Sequence, residues 1–484
     1  MSQARILGCL ACLAVLLWAG ACSPGQPASG EQPAASSTEY QDLVDLFRDW
    51  REFQKPEMVG GVPDYTSQAM AEQQRQLADY RARLEAIDPA SWTVPQQVDY
   101  KLVEAEMNGM DFDHRVRRPW ERNPAFYTLF HASRSDVPAH EGPVAYPPIE
   151  VWMYDYPLSD EEAAQLEGRF RSIPALLEQA RGNLTGDGRD LWMGGIRTMA
   201  GQSRGMQAYA QRVADHPQLA EAVQAASQAV DDFTSWLQEQ LPHKRGPSGV
   251  GKDNYTWYLQ KVHLVPYTWQ EEVTLMRRAL ARSHASLRLE EHRNRNLPPI
   301  KVISSAQEYD RRSNRSVDRY MTFLREQEII TIRDDMDPAL RARLGSFQPE
   351  EERGFFSHVI HRSPLAFRPH MHHWIELAKM DNDPHPNPVR RQPLLYNIFD
   401  GRSEGLATGV EEWFMHAGLL EGDPRSREMV WIMMAQRAAR AIAGLHLHSN
   451  DWSIDEACEF ASKWTPRGFM PADSDTCLFE QHLY

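Results

Sequence analysis

Asp423-Pro424-Arg425-Ser426-Arg427-Glu428-Met429-Val430-Trp431-Ile432-Met433-Met434-Ala435 is the stretch on which the fold turns. Aspartate followed by proline reads as a helix N-cap with proline at the first helical position, where its missing N–H costs nothing. The run from Met429 to Ala435 has no polar face, so the predicted helix must be buried on every side. Such a helix needs a shell, and the rest of the sequence offers more helices to build it. Tyr40, Leu43, Phe47, Trp50 and Phe53 recur every three or four residues, as do Leu77, Tyr80, Leu84 and Ile87, and Val94, Val98, Leu102 and Met107 make a third such stripe at spacings of four, four and five. Ser159/Glu162, Thr268/Glu271 and Ser453/Glu456 have the spacing of capping boxes. Few segments alternate with period two, and neither a strand–helix–strand rhythm nor a fixed repeat is present. The expectation is a mainly α fold: one large helical domain over residues 39–484, in two lobes around a cleft. The Pro- and Asp-rich run Asp381 to Pro393 is expected as a long loop between helices.

Composition narrows the function classes. Of 484 residues, 42% are hydrophobic, which places the chain with ordinary globular proteins. Lys and Arg number 52 against 67 Asp and Glu, a formal charge of −15, and no basic block stands out. Nucleic acid, whose phosphates demand clustered cations, is excluded as a partner.

The N-terminus reads as an address. After Arg5, an apolar run from Ile6 to Ala21 spans about 24 Å as a helix, short of the ~30 Å hydrocarbon core of a bilayer. A short apolar stretch before small residues is the pattern of a secretory signal, residues 1–21. Ala19-Gly20-Ala21-Cys22 resembles a bacterial lipoprotein signal, in which the cysteine is lipidated and anchors the protein to a membrane. Ala19 stands where leucine is usual; an ordinary signal with an incidental Cys22 is the alternative. Ser23 rather than aspartate favours the outer membrane, facing the periplasm. Residues 22–38 are rich in Pro, Gly, Ser and Ala, the composition of a flexible tether. Cys9 and Cys12 leave with the signal. Cys458 and Cys477 remain, either bridged in an oxidising compartment or, for Cys458, buried as a thiol on a helix.

Chemistry concentrates in residues 358–448. Six of 18 histidines, His358, His361, His370, His372, His373 and His385, fall within one short stretch. Neutral imidazole is a common ligand of zinc and similar metals. On a helix starting near Pro369, His372 and Glu376 stand one turn apart, and His370 neighbours His373. The plain alternative is a polar helix start. Glu404 and Glu411 are seven residues apart on a predicted helix, about two turns, so they share a face but cannot both hold one ion. One is expected as a ligand and the other as its support, unless both belong to a solvated acidic face. Arg437, Arg440, His446 and His448 follow the buried helix; the arginines hold a substrate carboxylate or an oxyanion, or pair with buried carboxylates. Gly201-Gln202-Ser203-Arg204-Gly205 matches a nucleophile-elbow pattern, but no hydrophobic strand precedes it, so it is read as a decoy. His140-Glu141 begins a zinc-helix motif that Val144 breaks.

Taken together, these residues make the chain resemble the bacterial domain of unknown function 885 family. The likeness rests on Arg83-Leu84-Glu85-Ala86-Ile87-Asp88-Pro89, Asp99-Tyr100-Lys101-Leu102, Arg118-Pro119-Trp120 and Asn123-Pro124. It continues in Glu404-Gly405, Gly422-Asp423-Pro424, Gly444-Leu445-His446 and Trp452-Ser453. The resemblance implies a helical, zincin-related metallopeptidase body. Many members carry H-E-x-x-P-G-H before the Glu-Gly helix. Here Leu365 and Ala366 stand where the ligand His and catalytic Glu are expected, and Ala441-Ile442-Ala443 stands where members place an Asp. Members also continue past the point equivalent to Tyr484.

The resulting expectation is a cell-envelope lipoprotein hydrolysing short peptides or small amides. A divalent metal, zinc by preference, is held by His370, His372, His373 and Glu404. Glu376 or Glu411 serves as general base, and Arg440 and His446 orient the substrate. The rival is a non-catalytic, peptide- or partner-binding lipoprotein on the same scaffold.

Overall fold

Capping decides where several of the helices begin. In the computed structural model, which describes residues 37–136, 144–391, 393–396 and 398–472, all three expected capping boxes are formed. At the first, Glu162 N–H donates to Ser159 Oγ at 3.3 Å while Ser159 N–H donates to Glu162 Oε2 at 2.9 Å. Thr93 and Gln96 form a fourth that the sequence reading missed. The signal segment, Cys22, most of the tether, His140-Glu141, Cys477 and the final residues Glu480 to Tyr484 lie outside the described residues, as do the side chains of residues 398–400.

The longer helices are α1 (Tyr40–Phe53), α2 (Ser67–Glu85), α3 (Val94–Phe112), α4 (Asp160–Asn183), α5 (Arg189–Arg212) and α6 (Pro217–Gln240). They continue with α7 (Lys252–Lys261), α8 (Trp269–Arg293), α9 (Ala306–Gln327), α10 (His372–Asn382), α11 (Ile398–His416), α12 (Ser426–His448) and α13 (Ile454–Trp464). Strand structure among the described residues amounts to two short ladders. Met58–Val59 pairs antiparallel with Val62–Pro63, and Phe130–His131 pairs parallel with Ile149–Glu150. The fold is mainly α, as expected. From Ser37 onward the described residues form one compact unit. No described helix is long and apolar enough to cross a membrane.

Three cores carry most of the packing. One joins α4, α5 and α6 around Phe170, Trp192 and Phe233. A second gathers α9, α11 and the first half of α12, and α12 packs along α8 and α13. Met429, Ile432, Met433 and Ala435 are fully buried, as the absence of a polar face required. The regular helix starts at Ser426 rather than Pro424, because Ser426 N–H bonds to Asp423 O in a tighter first turn. The third core holds α1, α2 and α3 and takes in Val389 and Leu394 from far along the chain.

Two expectations fail in that third core, for one reason. Val94 and Val98 of the expected α3 stripe are exposed, at 72% and 47%, while Asp99 and Glu106 are buried. The face turned inward carries carboxylates because their partners arrive from elsewhere. Glu106 accepts from Leu395 N–H and Tyr396 N–H, and Asp99 accepts from Tyr40, Asn387 and Arg390. The run Asp381 to Pro393 is correspondingly not one loop. It contains the end of α10 and a one-turn helix, Pro388–Arg391, which Asn387 caps by accepting from Val389 N–H at 3.0 Å. Gly109 explains itself in the same place: a Cβ there would run into the Tyr396 side chain. On α13, Cys458 is buried and disulfide-bonded.

Candidate metal site

Ser363 caps a one-turn helix, Pro364–Phe367, by accepting from Ala366 N–H at 3.3 Å, with Pro364 at its first position. Arg368–Met371 then form a 3₁₀ turn that runs into α10 at His372. In a 3₁₀ turn residues three apart nearly eclipse. His370 and His373 therefore face the same way, with ring centroids 4.8 Å apart and planes at 80°. His372 instead places its Nε2 3.7 Å from Glu376 Oε1.

α11 lies against this turn and brings two carboxylates to it. Donor atoms of His370, His373 and Glu404 all lie within 4.8 Å of one another. His373 Nε2 is 3.6 Å from Glu404 Oε1 and 3.4 Å from Asp136 Oδ2. His373 is 1% exposed, yet neither of its ring nitrogens has a hydrogen-bond partner among the described residues. A buried polar atom without a partner costs about 1–3 kcal/mol. An electrophile between His373, His370 and Glu404 would remove that cost.

Two turns along α11, Glu411 is fully buried and receives both arms of Arg437 from α12, at 2.6 and 2.8 Å. Glu411 Oε1 is also 3.1 Å from His370 Nδ1, and Arg437 Nη2 lies at the same distance from that nitrogen. The two contacts demand opposite tautomers, since Nδ1 donates to the carboxylate only if it does not accept from the guanidinium. An ion on Nε2 selects the first, and Glu411 then orients the ligating ring.

Electrostatics fit the same reading. Burial pushes the Glu404 carboxyl up to about 7, helped by the charges of Asp136 and Glu411 and opposed by Arg437 and Arg440. Burial likewise lifts Glu411 to about 7 against the pull of Arg437. Burial, then its neighbour His370, lowers His373 to about 3, and burial beside Arg437 holds His370 well below its ordinary value. Both imidazoles are thus neutral, the form that binds metals.

The remaining expected residues sit elsewhere or are engaged. His372 Nε2 is 3.7 Å from Glu376 Oε1, and Arg402 donates to Glu376 at 3.0 Å, so these three form a separate group. The His372 bond, with Arg402, draws Glu376 down to about 2. Neither Glu376 nor Glu411 is left as an unengaged base. Arg440 acts on Glu404 through its charge. His446 stacks on Trp452 at 4.1 Å and lies 3.3 Å from Asp451, about 14 Å along α12 from Arg437. His361 is consumed structurally: it accepts from Gln348 N–H and lies 2.8 Å from Ser357 O. His358 stacks on Phe469. Ser203 is buried inside α5 against Ser227, which confirms the decoy. Asp136 was missed, and nothing in its local sequence marks it.

Residues 55–349 match the family described as "Bacterial protein of unknown function (DUF885)". The matched span precedes the His/Glu cluster. Among solved structures, a "putative lipoprotein of unknown function" from Shewanella oneidensis aligns over 92% of both chains, with a TM-score of 0.62 at 14% identity. A "putative lipoprotein" from Colwellia psychrerythraea aligns over 92% of this chain and 89% of its own, with a TM-score of 0.57 at 12% identity. At these identities the likeness is one of fold. No curated protein matches.

Proposed function

The chain belongs to this family of bacterial proteins of unknown function, and on that premise we propose that it is a metal-dependent hydrolase of short peptides or small amides. The observation that carries the reading is the convergence of His370, His373 and Glu404, with His373 buried and lacking hydrogen-bond partners. Two imidazoles and one carboxylate form a donor set used by catalytic zinc, which keeps a fourth position open. A zinc ion there would supply Lewis-acid activation of water and of the scissile carbonyl. The chain's own residues supply the rest. Glu411, clamped by Arg437, orients His370. Asp136, partly exposed and 3.4 Å from His373 Nε2, is assigned the proton transfer that was expected of Glu376 or Glu411. Arg440 adds positive charge beside Glu404, where a substrate carbonyl would develop negative charge.

The cell envelope is the proposed location. The Cys22 signal supports it, as do the names of the two similar structures and the disulfide at Cys458, since disulfides persist in oxidising compartments.

The test is metal content by plasma mass spectrometry of the purified protein, beside His373→Ala and Glu404→Ala. About one zinc per chain is expected in the parent and none in the variants. Release of dansylated products from a dipeptide and tripeptide library is then expected from the parent alone, and to fall with Asp136→Asn. Metal without hydrolysis would favour the second reading, a binding lipoprotein that kept the scaffold. Leu365 and Ala366, standing where the resemblance placed a His and a Glu, support that reading. No metal after incubation with zinc would overturn the site itself.

A further inference from the structure

A short helix, Met336–Arg341, packs against α10, and three arginines stand in or beside it. Two are committed. Arg333 is 3.1 Å from Asp335 and donates to Ile375 O at 3.3 Å, while Arg341 pairs with Asp318 at 2.6 Å and with Asp337 at 2.7 Å. The third, Arg343, is half-buried, and its side chain has no hydrogen bond or ion pair among the described residues. Its guanidinium lies 3.8 Å from the centre of the Trp374 ring. Trp374 follows His373 in α10, and those two rings meet edge to face, 6.2 Å apart at 84°. Two ring contacts thus join Arg343 to the His/Glu cluster.

The charge around it gives that position a use. Asp136 and Glu404, 3.4 and 3.6 Å from His373 Nε2, make the cluster acidic. A substrate carboxylate is repelled there unless a cation receives it. Of the nearby arginines, Arg437 is held by Glu411, Arg134 by Asp381 and Arg402 by Glu376. Arg343 is held by no carboxylate among the described residues. Burial, then the charge of Arg134, lowers its guanidinium below the ordinary value, against the pull of Asp136, so all three charges share one neighbourhood. A guanidinium stacked on an indole keeps its N–H groups in its own plane, where they meet the two oxygens of a carboxylate.

We infer that Arg343, stacked on Trp374, receives the C-terminal carboxylate of the peptide, so that the site cuts one or two residues from that end. The inference rests on the hydrolase reading above. At ~3.3–3.6 Å per extended residue, the two ring distances leave room for no more than about two residues between a carbonyl at the His373 donors and a carboxylate at Arg343. Hydrolysis adds one water across the amide. The water oxygen bonds to the carbonyl carbon as the C–N bond breaks, and both water protons pass to the nitrogen, which leaves as an ammonium. Arg343 touches the substrate away from the reacting atoms, so it sets which bond is cut.

The test uses the full chain loaded with zinc and three peptides: dansyl-Ala-Ala-Ala-Phe, its C-terminal amide, and dansyl-Ala-Ala-Ala-Glu amide, whose carboxylate is on a side chain. The acid is cut at its last or last-but-one amide with kcat/KM about 10–100-fold above either amide, as a charge-assisted pair should give. In Arg343→Ala that preference falls towards one, through KM more than kcat, and Arg343→Lys restores part of it. Should the alanine variant unfold, the comparison of acid with amide on the parent decides alone. Calorimetry in chelator, with acetyl-Ala-Phe and its amide, reads the same contact without chemistry: the acid binds about tenfold more tightly, and Arg343→Ala removes the difference. Equal cleavage of acid and amide, or cleavage far from the C-terminus, would overturn the assignment and leave the hydrolase reading standing. Preference for the Glu amide would also overturn it, moving the carboxylate from the chain end to a side chain. No cleavage with the calorimetric preference intact would overturn hydrolysis and keep the carboxylate contact, and loss of both would overturn both.

Discussion

Asp99 and His373 are both polar side chains buried almost completely, at 2% and 1% exposure, and they behave in opposite ways. Asp99 receives the Tyr40 hydroxyl at 2.6 Å, Asn387 Nδ2 at 2.9 Å and Arg390 Nε at 2.6 Å. Its oxygens are fully used, and the result ties α1, α3 and the Pro388 turn together. His373 is surrounded by His370, Asp136 and Glu404 but makes no hydrogen bond with any of them. Burial alone therefore does not distinguish these two side chains; completeness of partnering does.

That contrast is breakable. The largest effect is expected from Asp99→Ala, which strands Tyr40, Asn387 and Arg390 together. Because Arg390 keeps a third of its surface in water, the loss is about 2–3 kcal/mol of stability in urea denaturation rather than that of a fully buried pair, with metal content unchanged. Loss of metal from this variant would show the two regions to be one unit. Glu411→Gln acts on the other side of the comparison. It weakens zinc binding about 10–100-fold in a chelator competition, as the orienting partner of a ligand His should.

A pH titration is expected to give the next largest effect. Glu404 titrates near 7 and must be ionised to ligate, whereas His373, lowered to about 3, is already neutral. Binding thus releases a proton below pH 7, and zinc affinity falls about tenfold for each pH unit under that value and levels off above it. A flat profile would remove Glu404 from the ligand set. Smallest is the effect of His373→Leu on metal-free protein. The substitution keeps volume and deletes two unsatisfied nitrogens, so a gain of about 1 kcal/mol is expected from the melting curve. A comparable gain from an apolar residue at Asp99 would erase the distinction.

How much of this was legible in the sequence depends on whether the signal was local. The all-apolar run at Met429 and the capping boxes at Ser159, Thr268 and Ser453 are written within one or two turns of chain, and each appears where it was read. The pairing of His370 with His373 was read the same way. The α3 stripe failed because periodicity assumes that the inward face is apolar, and Asp99 and Glu106 are made affordable by residues near 390. His372 and Glu376 come within 3.7 Å of each other, as their spacing predicts, but neither joins the donor group of His370, His373 and Glu404. Asp136 and the stacking of Arg343 on Trp374 were invisible, because they come from segments brought together only by the fold.

The tie between Asp99 and Arg390 also has a consequence in time. Its ends are separated by 291 positions, and Val389 and Leu394 complete the core of the first three helices. At about 5–20 residues per second, a ribosome needs roughly 15–60 s to supply the second end after the first. Throughout that interval α1, α2 and α3 exist without their clasp, with the Glu106 and Asp99 faces open. Helices α1 to α3 are thus among the last parts of the described chain to be closed.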